Sequence, residues 1–101
     1  MKNREQGLRE RIAADPSDGD ALRELAELVG SGRGRKEEAV ELWLRYVDAA
    51  DPSETAGALT ALARAQVEAR RYAAAIETLE RCTAGAPKCY AAFDLLGELL
   101  R

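Results

Sequence analysis

The chain has 101 residues, of which 47% are apolar and 33% charged, with a net charge of −3, two cysteines and no histidine. That length gives one domain with a modest core. The composition excludes a disordered chain, and the acidic balance makes no general case for nucleic acid or an anionic membrane as partner. Without histidine, Ser–His and Cys–His catalysis are excluded within the chain, and Cys82 and Cys89 alone cannot build a four-thiolate zinc site or a disulfide framework. No catalytic residue, metal or cofactor is therefore expected. No apolar run approaches the roughly 20 residues of a membrane span. The charged Met1–Gln6 segment has no signal-peptide core, so a cytoplasmic location is the expectation. Ala, Leu, Arg and Glu dominate and β-branched residues are sparse, which favours helix almost throughout.

Residues 2–14 read as a leading helix with Leu8 and Ile12 on one face, stopped at Asp15-Pro16 because proline pushes its predecessor out of the α region. Ser17 or Asp18 can cap a second helix, whose apolar stripe is Ala21, Leu22, Leu25, Ala26 and Leu28 or Val29. The Gly30–Gly34 turn breaks it. A third helix covers about 36–50 with Ala39, Val40, Trp43, Tyr46 and Val47 inward, and ends at Asp51-Pro52. Ser53 or Thr55 opens a fourth, with Leu59, Leu62, Ala63 and Val67 apolar and Arg70-Arg71 as its basic last turn. The fifth spans 72–83 with Ala75, Ile76, Leu79 and Cys82 inside. Gly85 is expected as a left-handed cap and Pro87 as the stop. The sixth runs from about Tyr90 to the end.

Superposed, these segments repeat. Leu22, Leu25, Ala26 return as Leu59, Leu62, Ala63 and as Phe93, Leu96, Gly97, at separations of 37 and 34 residues. Glu38-Ala39-Val40-Glu41 returns as Ala74-Ala75-Ile76-Glu77, and Pro16, Pro52 and Pro87 are spaced by 36 and 35. A helix–turn–helix unit of about 34 residues cannot bury its apolar face alone and must stack on its neighbours. The unit at 56–89, with Leu59, Leu62, Ala63, Tyr72, Ala75, Leu79, Cys82 and Pro87 in register, resembles the tetratricopeptide repeat family, and Phe93, Leu96, Gly97 and Leu100 repeat its first-helix signature. The first unit departs from that pattern, with Trp43 at the large-residue site and Tyr46 where a small residue is usual.

The resemblance implies an all-α, TPR-like right-handed superhelical stack of about six antiparallel helices. As one domain over 1–101, it would comprise the leading helix 2–14, repeat 1 at 18–52, repeat 2 at 55–87 and a further first helix at 90–101. It also implies a scaffold or adaptor that binds a peptide or partner protein in a concave groove. Asp20, Arg23, Glu27, Thr60, Arg64, Val67, Asp94, Glu98 and Arg101 are the residues that would face it. Read without the family, the same residues are the solvated stripe of amphipathic helices. The groove would suit a segment with basic residues near its ends. A chaperone-tail adaptor is not expected, since Arg23 is followed one turn later by Glu27 where a carboxylate clamp needs Asn.

Three features lie outside this scheme. The Gly30–Lys36 segment follows a helix and has no Gly-Lys-Ser/Thr closure, so it reads as a lengthened turn and not a phosphate loop. A disulfide between Cys82 and Cys89 is left open, since it depends on Cβ geometry. Finally, Ala92, Leu95 and Leu99 widen the last helix's apolar stripe to about 200°, against the roughly 100° of a surface helix. The alternative function is therefore a self-associating module, a homodimer through an assembly surface at Leu95 and Leu99.

Overall fold

The computed structural model describes residues 3–32, 34–85 and 90–100. Among them are six α-helices and no strand: α1 (Arg4–Ala14), α2 (Gly19–Gly30), α3 (Lys36–Ala49), α4 (Thr55–Glu68), α5 (Tyr72–Gly85) and α6 (Tyr90–Leu99). A 3₁₀ turn at Pro52–Glu54 leads into α4. Each helix packs on the one before it in the chain, and the result is a slab of 47 × 30 × 16 Å. No helix of the described residues is long and apolar enough to cross a membrane.

The helix ends follow local chemistry. Asn3 and Gln6 form a reciprocal capping box at α1, the Asn3 side chain accepting from the Gln6 N–H at 2.8 Å and the Gln6 side chain from the Asn3 N–H at 3.2 Å. Asp18 caps α2 by accepting from the Ala21 N–H at 3.1 Å, and it also receives Arg11 at 3.2 Å. α4 opens at Thr55, as expected, although neither Ser53 nor Thr55 caps it with its side chain. Its N-cap is Glu54, without a side-chain bond, because the 3₁₀ turn already brings the chain into helical geometry, and the Thr55 hydroxyl donates back to the Asp51 carbonyl at 3.2 Å.

Two turns differ from expectation. Arg70 and Arg71 are not the last turn of α4. Arg70 holds the left-handed conformation at φ 63°, while Arg71 N–H donates to the Gln66 carbonyl at 2.8 Å and Arg70 N–H to that of Val67 at 2.9 Å. This is a Schellman closure with arginine where glycine is usual. Gly85, expected to supply a left-handed cap, instead stays in the α5 helix without a positive φ. Pro87 and Cys89 lie outside the described residues.

Burial divides the core in two, and α4 serves both parts. Leu62 and Ala65 join Leu8, Ile12, Leu22, Leu25, Val29, Val40 and Trp43 from the first three helices. Leu59 and Ala63 join Leu79, Cys82 and Ala92 from the last two. Trp43 and Tyr46 meet edge to face with ring centroids 5.6 Å apart, and the Tyr46 ring lies beside Gly19, so these large residues fill the α2–α3 gap. A buried polar pair ties α4 to α5: the Thr78 hydroxyl donates to the Gln66 side-chain oxygen at 2.8 Å, with the Ala74 carbonyl at 2.9 Å as its alternative acceptor. Tyr72, an aromatic of the repeat pattern, is half exposed at the first turn of α5.

α1 adds Leu8 and Ile12 to the core and is also held by charge. The Arg35 guanidinium donates to both Glu5 oxygens at 2.8 and 3.0 Å and to Glu38 at 3.2 Å, while Arg9 bonds Glu5 at 3.1 Å and also reaches Glu38. Hydrogen bonds from Arg35, then Arg9, hold the Glu5 carboxyl down at about 2, against 4.5 ordinarily. A depressed carboxyl stabilises the docked helix above its unfolded pKa, and that contribution is lost as pH falls through the folded value. We therefore expect α1 to loosen between about pH 4.5 and about pH 2, followed by the Leu8 and Ile12 methyl resonances at constant ionic strength. Arg35→Ala should remove most of this pH dependence. Methyl signals that stay fixed across the window would contradict it.

Candidate functional site

Three adjoining depressions run along one side of α2, α4 and α6. The first lies between Arg23 and Glu27 of α2, Trp43 and Tyr46 of α3, and Gly57 and Ala61 of α4. The second, about 370 Å³, is bounded by Glu27, Gly30, Trp43, Ala61, Arg64 and Glu68. The third, about 400 Å³, lies between Arg64, Val67 and Glu68 of α4 and Asp94, Leu95 and Glu98 of α6. Glu27 is shared by the first two and Arg64 by the last two, so they form one continuous open strip.

The helical period explains the lining. Glu27 recurs as Arg64 and then as Glu98 at the separations of the repeat, so each of the three helices offers one charged side chain to the same side. Among the described residues, Arg23, Glu27, Arg64, Asp94 and Glu98 form no ion pair. Glu68 alone in the strip is paired, with the Lys36 ammonium at 3.5 Å. Carboxylates outnumber guanidinium groups along it, which favours cationic ligands.

Of the groove residues read from the sequence, Arg23, Glu27, Arg64, Val67, Asp94 and Glu98 line the strip. Asp20 is exposed on the first turn of α2 and borders none of the three depressions. Thr60 is buried in the α4–α5 interface and not open to a ligand: its hydroxyl donates to the Ala56 carbonyl at 2.9 Å and lies 3.7 Å from the Cys82 sulfur. The same α4 carbonyl accepts the Cys82 thiol at 3.4 Å. Arg101 lies outside the described residues.

Sequence reasoning did not single out Glu68, Ala61 or the Trp43–Tyr46 pair as lining. The signal available for the aromatic pair was Tyr46, a large residue where the sequence pattern led one to expect a small one, beside Trp43 at a large-residue position.

The assembly surface expected on α6 is rotated. Ala92 is fully buried, and Leu95, Leu96 and Leu99 are half-buried against the cluster it shares with Leu59, Ala63, Leu79 and Cys82. Leu95 and Leu99 therefore face inward, because alanine at 92 lets α6 settle closely on its neighbours along that side. The residues left outward are Tyr90 at 73% exposure, Phe93 at 45% and Leu100 at 63%.

Among the described residues no group of three or more Cys, Asp or Glu side chains is placed to hold a metal ion. The Gly30–Gly34 turn is closed by its own backbone, Gly32 N–H donating to the Val29 carbonyl at 3.0 Å, and the Lys36 ammonium donates to the Gly30 carbonyl. No protein-family model, no curated protein and no solved structure matches the chain.

Proposed function

We propose that this chain is a helical-repeat interaction module, resembling tetratricopeptide repeats in a superhelical stack, that holds a peptide or an extended segment of a partner protein. In this reading it is a cytoplasmic adaptor whose role is binding without catalysis. The observation that carries the proposal is the continuous strip along α2, α4 and α6, with Glu27, Arg64 and Glu98 recurring on it at the repeat period. An amphipathic stripe that served only for solvation would need no depression between successive helices.

The strip fits a segment whose basic residues fall towards α6. Arg23 and Glu27 stand together at one end and Asp94 and Glu98 at the other, with Arg64 between. Exposed charge pairs contribute only about 0.2–1 kcal/mol each. Most of the affinity would then come from apolar contact with the edges of Trp43, Tyr46, Ala61 and Leu95, and the charges would set register and choice of partner.

The test is an array of immobilised synthetic peptides probed with the purified chain and with Glu98→Lys and Arg64→Glu variants. Bound peptides should be enriched in Lys and Arg, and Glu98→Lys should weaken them by up to about fivefold, the equivalent of one exposed pair. Arg64→Glu should keep or strengthen them. Binders that show no preference for basic residues, or that ignore both substitutions, would count against the groove.

A further inference from the structure

We propose that a depression between α1, α2 and α3 is a second docking site, which takes an apolar side chain of a partner protein segment together with a neighbouring carboxylate. It has a volume of about 360 Å³ and is bounded by Arg9, Ile12 and Ala13 of α1, Leu25 of α2, and Leu42 and Arg45 of α3. It shares no residue with the α2–α4–α6 strip. Leu25 stands two residues before Glu27, about 200° round α2 at 3.6 residues per turn, so the two sites open on opposite sides of that helix.

Charge sets this depression apart. The chain carries 18 acidic residues against 15 basic ones, and each depression of the strip is lined by at least one carboxylate. The one between α1 and α3 is lined by two arginines and no carboxylate. Arg9 is already neutralised, since it bonds Glu5 at 3.1 Å and reaches Glu38. Arg45 is exposed, and no carboxylate of the described residues forms an ion pair with it, not even Glu41 or Asp48 on its own helix. Arg9 is thus a fixed wall and Arg45 an open cation. Between them the buried side chains of Ile12, Leu25 and Leu42 make an apolar floor.

The internal repeat makes this combination particular to one place in the chain. At the separation of Pro16 from Pro52, 36 residues, Ile12, Leu42 and Arg45 return as Asp48, Thr78 and Arg81. The later unit keeps the arginine but has a carboxylate and a hydroxyl in place of the two floor residues, and that hydroxyl is already engaged with Gln66. Apolar floor and unpaired arginine therefore coincide only between α1 and α3. The floor alone would accept any apolar side chain, and the guanidinium alone any anion. Together they select a segment in which Leu or Phe stands near Asp or Glu. The apolar residue supplies most of the contact, and the planar fork of Arg45 picks out the carboxylate. Such a partner is opposite in charge to the one proposed for the strip, so the two do not compete, and this site stands whether or not the strip binds.

The test is an array of immobilised synthetic peptides that combine Leu or Phe with Asp or Glu, carry Asp or Glu alone, or combine Leu or Phe with Lys or Arg. It is probed with the full chain, with Arg45→Ala, Arg45→Glu and Ala13→Phe, and with the control Arg81→Glu. Ala13, Arg45 and Arg81 are all exposed, so each variant should keep its helical circular dichroism. Peptides that join Leu or Phe to Asp or Glu should bind. Arg45→Ala should weaken them by up to about fivefold, the equivalent of one exposed pair, and Arg45→Glu by more. Ala13→Phe, which fills the depression, should abolish their binding and leave any Lys-rich or Arg-rich binders unaffected. Arg81→Glu should behave as the parent chain. The proposal is overturned if no acidic–apolar peptide binds, or if acidic peptides without Leu or Phe bind equally well. Binding that survives both Arg45→Glu and Ala13→Phe, or that falls as far with Arg81→Glu, overturns it too.

Discussion

Replacing Leu62 by alanine should destabilise the protein by about 2–5 kcal/mol, the range for deleting a buried leucine side chain. Leu62 is 1% exposed and is the large α4 side chain in the cluster built by the first three helices. Its loss costs both transfer energy and the cavity left behind, since α3 and α4 are each fixed by a further neighbour and cannot collapse freely. Against a typical net stability of about 5–15 kcal/mol the effect is large. Urea denaturation followed by circular dichroism measures it. A midpoint that hardly moves would mean that α4 is not the wedge between the two halves of the core.

Ala63→Leu should be destabilising for the opposite reason, by about 1–3 kcal/mol. Ala63 is fully buried against Leu79 and Cys82, and it is smallness at this position that lets α4 and α5 approach. An added isobutyl group has no space to enter, so α5 must shift away, which strains the Thr78–Gln66 hydrogen bond beside it. The companion variant Ala63→Leu/Leu79→Ala restores the total volume and should recover part of the loss. Contacting residues of this kind couple by about 0.5–3 kcal/mol in a double-mutant cycle. Strict additivity of the two substitutions would show that Leu79 does not press on position 63.

The helices were readable from the chain because local signals agreed: proline at 16 and 52 stopped helices, Asp18 offered a cap, and the Leu–Leu–Ala spacing marked the inward faces of α2 and α4. What was not readable depended on tertiary context. Arginine at 70 gives no sequence signal for a left-handed closure, and Gly85 gives a misleading one, because it stands inside α5 without a positive φ. Thr60 looked polar and therefore outward, yet its hydroxyl bonds its own helix at the Ala56 carbonyl, which lets the side chain be buried against α5. α6 is apolar over so much of its circumference that the pattern could not fix its rotation, and Ala92 decided which side turned inward. The candidate strip fared better than α6 because a charged residue one repeat apart marks the same side whatever covers the rest of the helix.

That each helix packs on the one before it has a consequence for how the protein reaches its fold. Nearly every stabilising contact closes a loop of one helix and one turn, so the chain-entropy cost of each is small and the contact order is low. Folding should be fast, and it can begin in either of the hairpins that α4 joins. α1 and α6, each packed chiefly on one other helix, can loosen while α2 to α5 stay intact. Looser packing of α1 and α6 and firmer packing of α2 to α5 are thus properties of one topology, and a partner bound across α2, α4 and α6 would tighten α6.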